Sequence, residues 1–120
     1  MITMTADSSQ ALERKQLLEQ ELKRYLSLLT GHDQPERVIL FGSLVGGNVR
    51  PESDTDLVIV KQTQLPFWKR LREMRRLLQP RVATDILVYT LNEFEQLRRE
   101  RPFFRDETLG KGRVVYERGC

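Results

Sequence analysis

Phe41-Gly42-Ser43-Leu44-Val45-Gly46-Gly47-Asn48-Val49-Arg50-Pro51-Glu52-Ser53-Asp54-Thr55-Asp56-Leu57-Val58-Ile59-Val60 joins the end of one apolar run to the whole of another. The first run, Arg37-Val38-Ile39-Leu40-Phe41, reads as a short buried strand from its β-branched and aromatic content. The second, Thr55 to Lys61, is apolar on both faces, which predicts a strand in the middle of its sheet. Between them lie the pairs Gly42-Ser43 and Gly46-Gly47, then the turn Arg50-Pro51-Glu52-Ser53. Adjacent glycines argue against a long helix, though one short turn of helix after Ser43 is allowed. Two acids, Asp54 and Asp56, stand at the mouth of the second strand. Strand geometry sends residues i and i+2 to the same side, so their carboxylates are expected to project together. Charges that close repel each other and resist burial unless something compensates them.

Working outward, Val82 to Thr90 reads as a third strand, and it too carries an acid, Asp85. A carboxylate inside Val-Ala-Thr-Asp-Ile-Leu-Val-Tyr needs a partner. If the second and third strands are neighbours, Asp54, Asp56 and Asp85 collect in one site. Adjacent strands are about 4.8 Å apart, which suits metals about 3.5–4 Å from each other. A divalent cation removes the repulsion, and Mg²⁺ fits best, because it takes one or two carboxylates and completes its shell with phosphates. Three carboxylates carry about −3, two Mg²⁺ ions bring the site to about +1, and a nucleoside triphosphate carries about −4. With the metals, the site can hold a triphosphate such as ATP. Gly42 lets backbone approach a phosphate, and the N–H groups of that turn with the Ser43 hydroxyl can bind its oxygens. Gly-Ser alone is a weak signal. Gly-Ser followed eleven residues after Ser43 by Asp-x-Asp, between two apolar strands, is a strong one. The plain alternatives are a solvated turn for Asp54 and Asp56 and an arginine-paired strand acid for Asp85.

The remaining elements are helices. Asp7, Ser8 or Ser9 is placed to cap a helix running to about Thr30, with Leu12, Leu18, Leu22, Tyr25 or Leu26, and Leu29 on its apolar face and Gly31 as its stop. Pro66 opens a helix whose apolar stripe is Trp68, Leu71, Met74 and Leu78, and Pro80 closes it. Leu91-Asn92-Glu93-Phe94 starts another, with Phe94 and Leu97 inward. Pro102 to Leu109 reads as a further helical piece, and Arg113 to Glu117 as a last short strand. The order αβ(α)βαβαβ predicts an α/β (α+β) fold, a small mixed sheet flanked by helices. The 120 residues suit one domain, with residues 1–35 an N-terminal helix and linker packed on a body of 36–120.

Composition narrows the function classes. Net charge is +3, with acids and bases mixed along the chain. The basic runs Lys69–Arg76 and Arg98–Arg105 read first as solvated helix faces, and no basic patch is interleaved with aromatics as in single-strand binders, so nucleic acid is not an expected partner. Cys120 is the only cysteine and His32 the only histidine. A disulfide framework and a cysteine zinc site are therefore excluded within one chain, and no Cys–His nucleophile pair is legible. P-loop and dinucleotide fingerprints are missing. No stretch reaches the roughly 20 apolar residues of a membrane span, and no signal peptide is legible. The expected setting is the cytoplasm.

Gly42-Ser43, then Gly47, then Ser53-Asp54-Thr55-Asp56-Leu57 resembles the nucleotidyltransferase superfamily that includes DNA polymerase beta. With its short length and N-terminal helix, the chain looks most like the minimal nucleotidyltransferase (MNT) branch, over about residues 36 to 117. The resemblance implies Mg²⁺-dependent transfer of a nucleoside monophosphate, with Gly42 and Ser43 binding phosphate, Asp54 and Asp56 binding two metals, and Asp85 completing the site. Many proteins of that branch are antitoxins of HEPN ribonuclease toxins, and some transfer AMP to the toxin. That makes a HEPN protein the expected partner and a protein hydroxyl the expected acceptor. The alternative is a non-catalytic antitoxin that inhibits by contact. A small-molecule acceptor such as an aminoglycoside fits less well, because those enzymes usually carry an added substrate domain. The mixed charges of the first helix would also suit a homo-oligomer. Where the family often has Ala-Arg-Gly, this chain has Val45-Gly46-Gly47, so an arginine that could touch phosphate or structure is missing.

Overall fold

A computed structural model describes residues 2–47, 49–102 and 111–119. The chain runs α1 (Ile2–His32), β1 (Arg37–Phe41), α2 (Ser43–Gly46), β2 (Thr55–Val60), α3 (Phe67–Leu78), β3 (Thr84–Tyr89), α4 (Leu91–Glu100) and β4 (Arg113–Glu117). Four strands form one sheet in the order β3-β2-β1-β4. β1 pairs antiparallel with β2 and with β4, and β2 pairs parallel with β3 through the crossover helix α3. This is the mixed sheet flanked by helices that the alternation of apolar strands and amphipathic helices predicts.

The two faces of the sheet are covered unequally. On one, Leu18, Leu22, Tyr25 and Leu29 of α1 and Met74 and Leu78 of α3 bury Val38, Leu40, Leu57, Ile59, Ile86 and Val88. On the other, Phe94 of α4 packs on Ile39, Val58 and Val60. β2 is buried on both faces because it lies inside the sheet and meets both layers.

Several local expectations need correction. α1 already begins at Ile2, upstream of the Asp7–Ser9 cap candidates, and runs through Gly31 to His32. A glycine stops a helix only where the chain turns left-handed, and here the first positive φ falls at Gln34, after the helix. Leu12 is 57% exposed and Trp68 58% exposed, so neither joins the core stripe of its helix. Helical periodicity marks a face, but it does not say how far along the helix a partner layer reaches. α3 starts after Pro66 and ends at Leu78, where Gln79 turns left-handed at φ 44°. The helical piece expected at Pro102 to Leu109 lies, from residue 103, outside the described residues. Among the described residues no helix is long and apolar enough to cross a membrane.

A polar clamp joins α1 to the end of α3. Glu21 is 3% exposed, and Arg24 donates to both of its carboxylate oxygens at 2.7 and 2.8 Å. The same guanidinium donates to the carbonyls of Leu78 at 2.7 Å and Gln79 at 3.0 Å. It thus satisfies carbonyls that a helix end leaves unpaired. The Arg81 N–H completes the carboxylate at 3.0 Å. Arg24 beside it holds the Glu21 carboxyl down at about 2, against an ordinary 4.5. A depressed carboxylate contributes stability that is full above the unfolded value and lost as pH falls through the folded one. Roughly 3 kcal/mol should therefore drain away between pH 4.5 and 2. Urea unfolding at pH 6 and pH 3 checks this: Glu21→Gln should be less stable than wild type at pH 6, and the gap should narrow at pH 3.

Candidate active site

The parallel register of β2 and β3 sets Asp56 directly beside Asp85. The antiparallel register of β1 and β2 sets Phe41 opposite Asp56, so the turn leaving β1 opens next to the same carboxylate. Gly42 follows with φ +91°, a conformation that suits glycine. A Cβ on Gly42 would stand 2.8 Å from Asp56 Oδ2. The missing side chain is what lets the turn lie against the acid. α2 begins at once with Ser43, and the Val45 N–H returns to the Gly42 carbonyl at 3.2 Å. The Ser43 hydroxyl, a phosphate donor by sequence, lies outside the described side chains.

The three sequence-predicted acids are treated differently by the fold. Asp56 is half-buried, and Asp85 is exposed at the edge strand. Asp54 stands one residue before β2 and is exposed, so strand alternation does not dictate its direction. The loop that carries it is held from α1, where Arg14 Nε donates to the Ser53 carbonyl at 2.8 Å. Arg50 and Ser53 close that loop through two hydrogen bonds of 2.8 and 3.1 Å. Asp56 and Asp85 are brought together, and Asp54 adds charge that Asp56 feels. Among the described residues no group of three His, Cys, Asp or Glu side chains is drawn up as a metal cluster.

Burial, then the hydrogen bond and negative charge of Asp85, then the charge of Asp54, push the Asp56 carboxyl up to about 6. A cation between two acids kept side by side would offset this cost. Their hard oxygens fit Mg²⁺, with Asp56 and Asp85 as the residues to hold it. Beneath them the strand ends are braced by hydroxyls. Tyr25 of α1 hydrogen-bonds Thr84 Oγ1 at 2.9 Å, and Thr84 donates to the Val82 carbonyl at 3.0 Å. Burial lifts the Tyr25 phenol to about 12, so it stays neutral. The hydroxyl of Thr55, beside Thr84 in the register, is buried without a partner.

The acids face a cleft of about 620 Å³ lined by Phe41, Asp56, Val58, Leu71, Arg75, Asp85 and Leu87, among others. Its size suits a nucleotide-sized ligand. Leu87 is 38% exposed and supplies an apolar floor beside the acids. Arg75 and this floor are absent from the sequence reading. The run Lys69–Arg76 offers no sign of which cation turns to the site, because that depends on how α3 lies along β3. Gly42 thus lies against Asp56, and Asp56 and Asp85 stand side by side at one cleft with an apolar floor.

The chain belongs to a known family: the family model described as Polymerase beta, Nucleotidyltransferase matches residues 20–119. Among curated proteins none matches this chain. Among solved structures, a Sulfolobus solfataricus protein with a provisional nucleotidyltransferase assignment is similar at TM-score 0.64 and 18% identity, over 91% of this chain and 88% of that one. A toxin–antitoxin structure with AMP-PNP is similar at TM-score 0.49 and 17% identity, over 79% of this chain and 72% of that one. The first shows the fold alone.

Proposed function

We propose that this chain transfers AMP from ATP to a hydroxyl of a partner protein, as the antitoxin half of a HEPN/MNT pair. The observation that carries the chemistry is the pairing of Asp56 with Asp85, facing the cleft beside Gly42. The protein acceptor and the HEPN partner follow from the MNT-like pattern of Gly42-Ser43, Gly47 and Ser53-Asp54-Thr55-Asp56-Leu57. In this reading Asp56 and Asp85 hold Mg²⁺, with Asp54 at the mouth. Bound there, the metal offsets phosphate charge and stabilises the charge that builds at phosphorus. The Gly42 turn lies against the polyphosphate, and Leu87 and Phe41 keep water from one side of the cleft. As the acceptor oxygen bonds to the α-phosphorus, the bond to the β-phosphate oxygen breaks and pyrophosphate leaves. The hydroxyl proton passes to the carboxylate of Asp85.

The test is transfer of α-labelled ATP, with Mg²⁺, onto a co-purified partner, comparing wild type with the double variant Asp54→Ala/Asp56→Ala. Label on the partner only with wild type is the expected result. A second reading, inhibition by contact alone, draws on the exposed Asp54 and the lack of a three-acid cluster among the described residues. It predicts no label from either protein and a double variant that still silences the toxin.

A further inference from the structure

Arg75 has no part in the scheme above, yet it lines the cleft with Asp56 and Asp85. Its Nη2 donates to the Thr84 carbonyl at 2.7 Å. β3 is an edge strand. The carbonyls of Ala83 and Tyr89 accept from the N–H groups of Thr55, which opens β2, and Lys61, which follows it, so those of Thr84, Ile86 and Val88 point outward. Two arginines of α3 reach that row, Arg75 to Thr84 and Arg70 to Val88. A simple edge-capping role would treat the two alike. They are not alike. Arg70 also donates to the Leu65 carbonyl and to both oxygens of Glu93, which uses up its guanidinium. Arg75 is exposed, engages one nitrogen, and forms no ion pair with any acid among the described residues. A cation fixed at one corner and open at the others, in the cleft that holds the acids, is built to take an anion.

We propose that Arg75 is the anion-binding residue of the cleft, anchored on Thr84 and presenting its remaining N–H donors to a phosphate or carboxylate of the substrate. This rests on the nucleotidyltransferase reading and extends it. The anion has two sources, the polyphosphate of ATP and an acidic group beside the hydroxyl of the acceptor. Its place on the helix also supplies a cation to a site whose glycine loop lacks one, with Val45-Gly46-Gly47 in that loop.

The experiment measures Mg-ATP affinity by calorimetry, and label transfer to the co-purified partner, for Arg75→Met, Arg75→Lys, Arg70→Met and Asp56→Ala. Loss of a charge-assisted fork predicts about a tenfold to hundredfold fall for Arg75→Met. Lysine should restore part of it, since it keeps the charge without the fork. Arg70→Met should lower the melting temperature and leave ATP affinity in place. A fall in ATP affinity assigns the anion to the polyphosphate. Unchanged ATP affinity with lost transfer, recovered in part by lysine, assigns it to the acceptor. If Arg75→Met changes neither while Asp56→Ala abolishes transfer, the proposal is overturned and Arg75 is an edge cap. A wild-type protein that neither binds Mg-ATP nor labels its partner overturns the parent reading as well. A measurement on the unsubstituted chain guards against misfolded variants. Modification of Arg75 by phenylglyoxal should be suppressed by Mg-ATP or by the partner, and equal modification with and without both would refute the assignment.

Discussion

Asp56→Asn is expected to abolish nucleotide transfer and, at the same time, to stabilise the metal-free protein. Both effects come from one carboxylate. Asparagine keeps the shape but loses the charge that a cation requires, so transfer should fall by at least about 10²–10³-fold. In the absence of metal, that charge is a burden. Desolvation and the neighbouring acids raise the Asp56 carboxyl from an ordinary 3.8 to about 6. For an acid shifted upward, ionisation costs folding free energy, and the cost grows as pH rises from the unfolded value through the folded one. Partial exposure screens it, leaving about 1–2 kcal/mol at pH 7.5 that asparagine should recover. Glu21 works in the opposite sense below pH 4.5, since its carboxyl sits at about 2. On these two groups the metal-free protein should therefore be most stable at about pH 4–4.5. Mg²⁺ should raise the melting temperature at pH 7.5, do little at pH 5, and do nothing to Asp56→Asn at either. Thermal melts of the two proteins across that grid decide the matter, and a variant less stable than wild type at pH 7.5 would refute the like-charge account.

Gly42→Val is expected to be the most damaging change outside the acids. At φ +91° any side chain is strained, and a β-branched one most of all. The new Cβ would stand 2.8 Å from Asp56 Oδ2, closer than real contacts allow. Either the turn or the carboxylate must move. A loss of about 2–4 kcal/mol follows from strain and overpacking together. Mg²⁺-dependent stabilisation should also vanish, because the displaced carboxylate is the proposed ligand. Gly42→Ala should show the same pattern at smaller size. Chemical denaturation with and without Mg²⁺ separates the two effects. A valine variant that keeps its metal response would mean that the turn, not the acid, yields.

Much of this was readable in the residues, for reasons that differ by element. The strands could be read because Arg37–Phe41 and Thr55–Val60 are short β-branched runs bounded by turn chemistry, and the register needs no side chain to be found first. Asp85 could be read because an acid in an apolar strand demands a partner. What could not be read depends on tertiary placement. Arg75 looks like any other cation of Lys69–Arg76 until α3 is laid against the edge of β3. Trp68 and Leu12 carry helical periodicity but sit beyond the reach of the layer that would bury them. The different fates of Asp54 and Asp56 turn on a single residue, since β2 starts at Thr55 and alternation holds only inside a strand.

The parallel pairing of β2 with β3 also governs when the site can exist. Asp56 and Asp85 meet only after the chain has passed through α3 and returned, so their contact closes a loop rather than a hairpin. Loop closure of this kind is slow beside helix formation and local turns. A nascent chain that has emerged only as far as α3 has its Gly-Ser turn and both acids of the Asp54–Asp56 motif, but no second carboxylate beside Asp56. In the proposed function, metal capture thus depends on completed topology, and the paired carboxylates arrive with the fold rather than ahead of it.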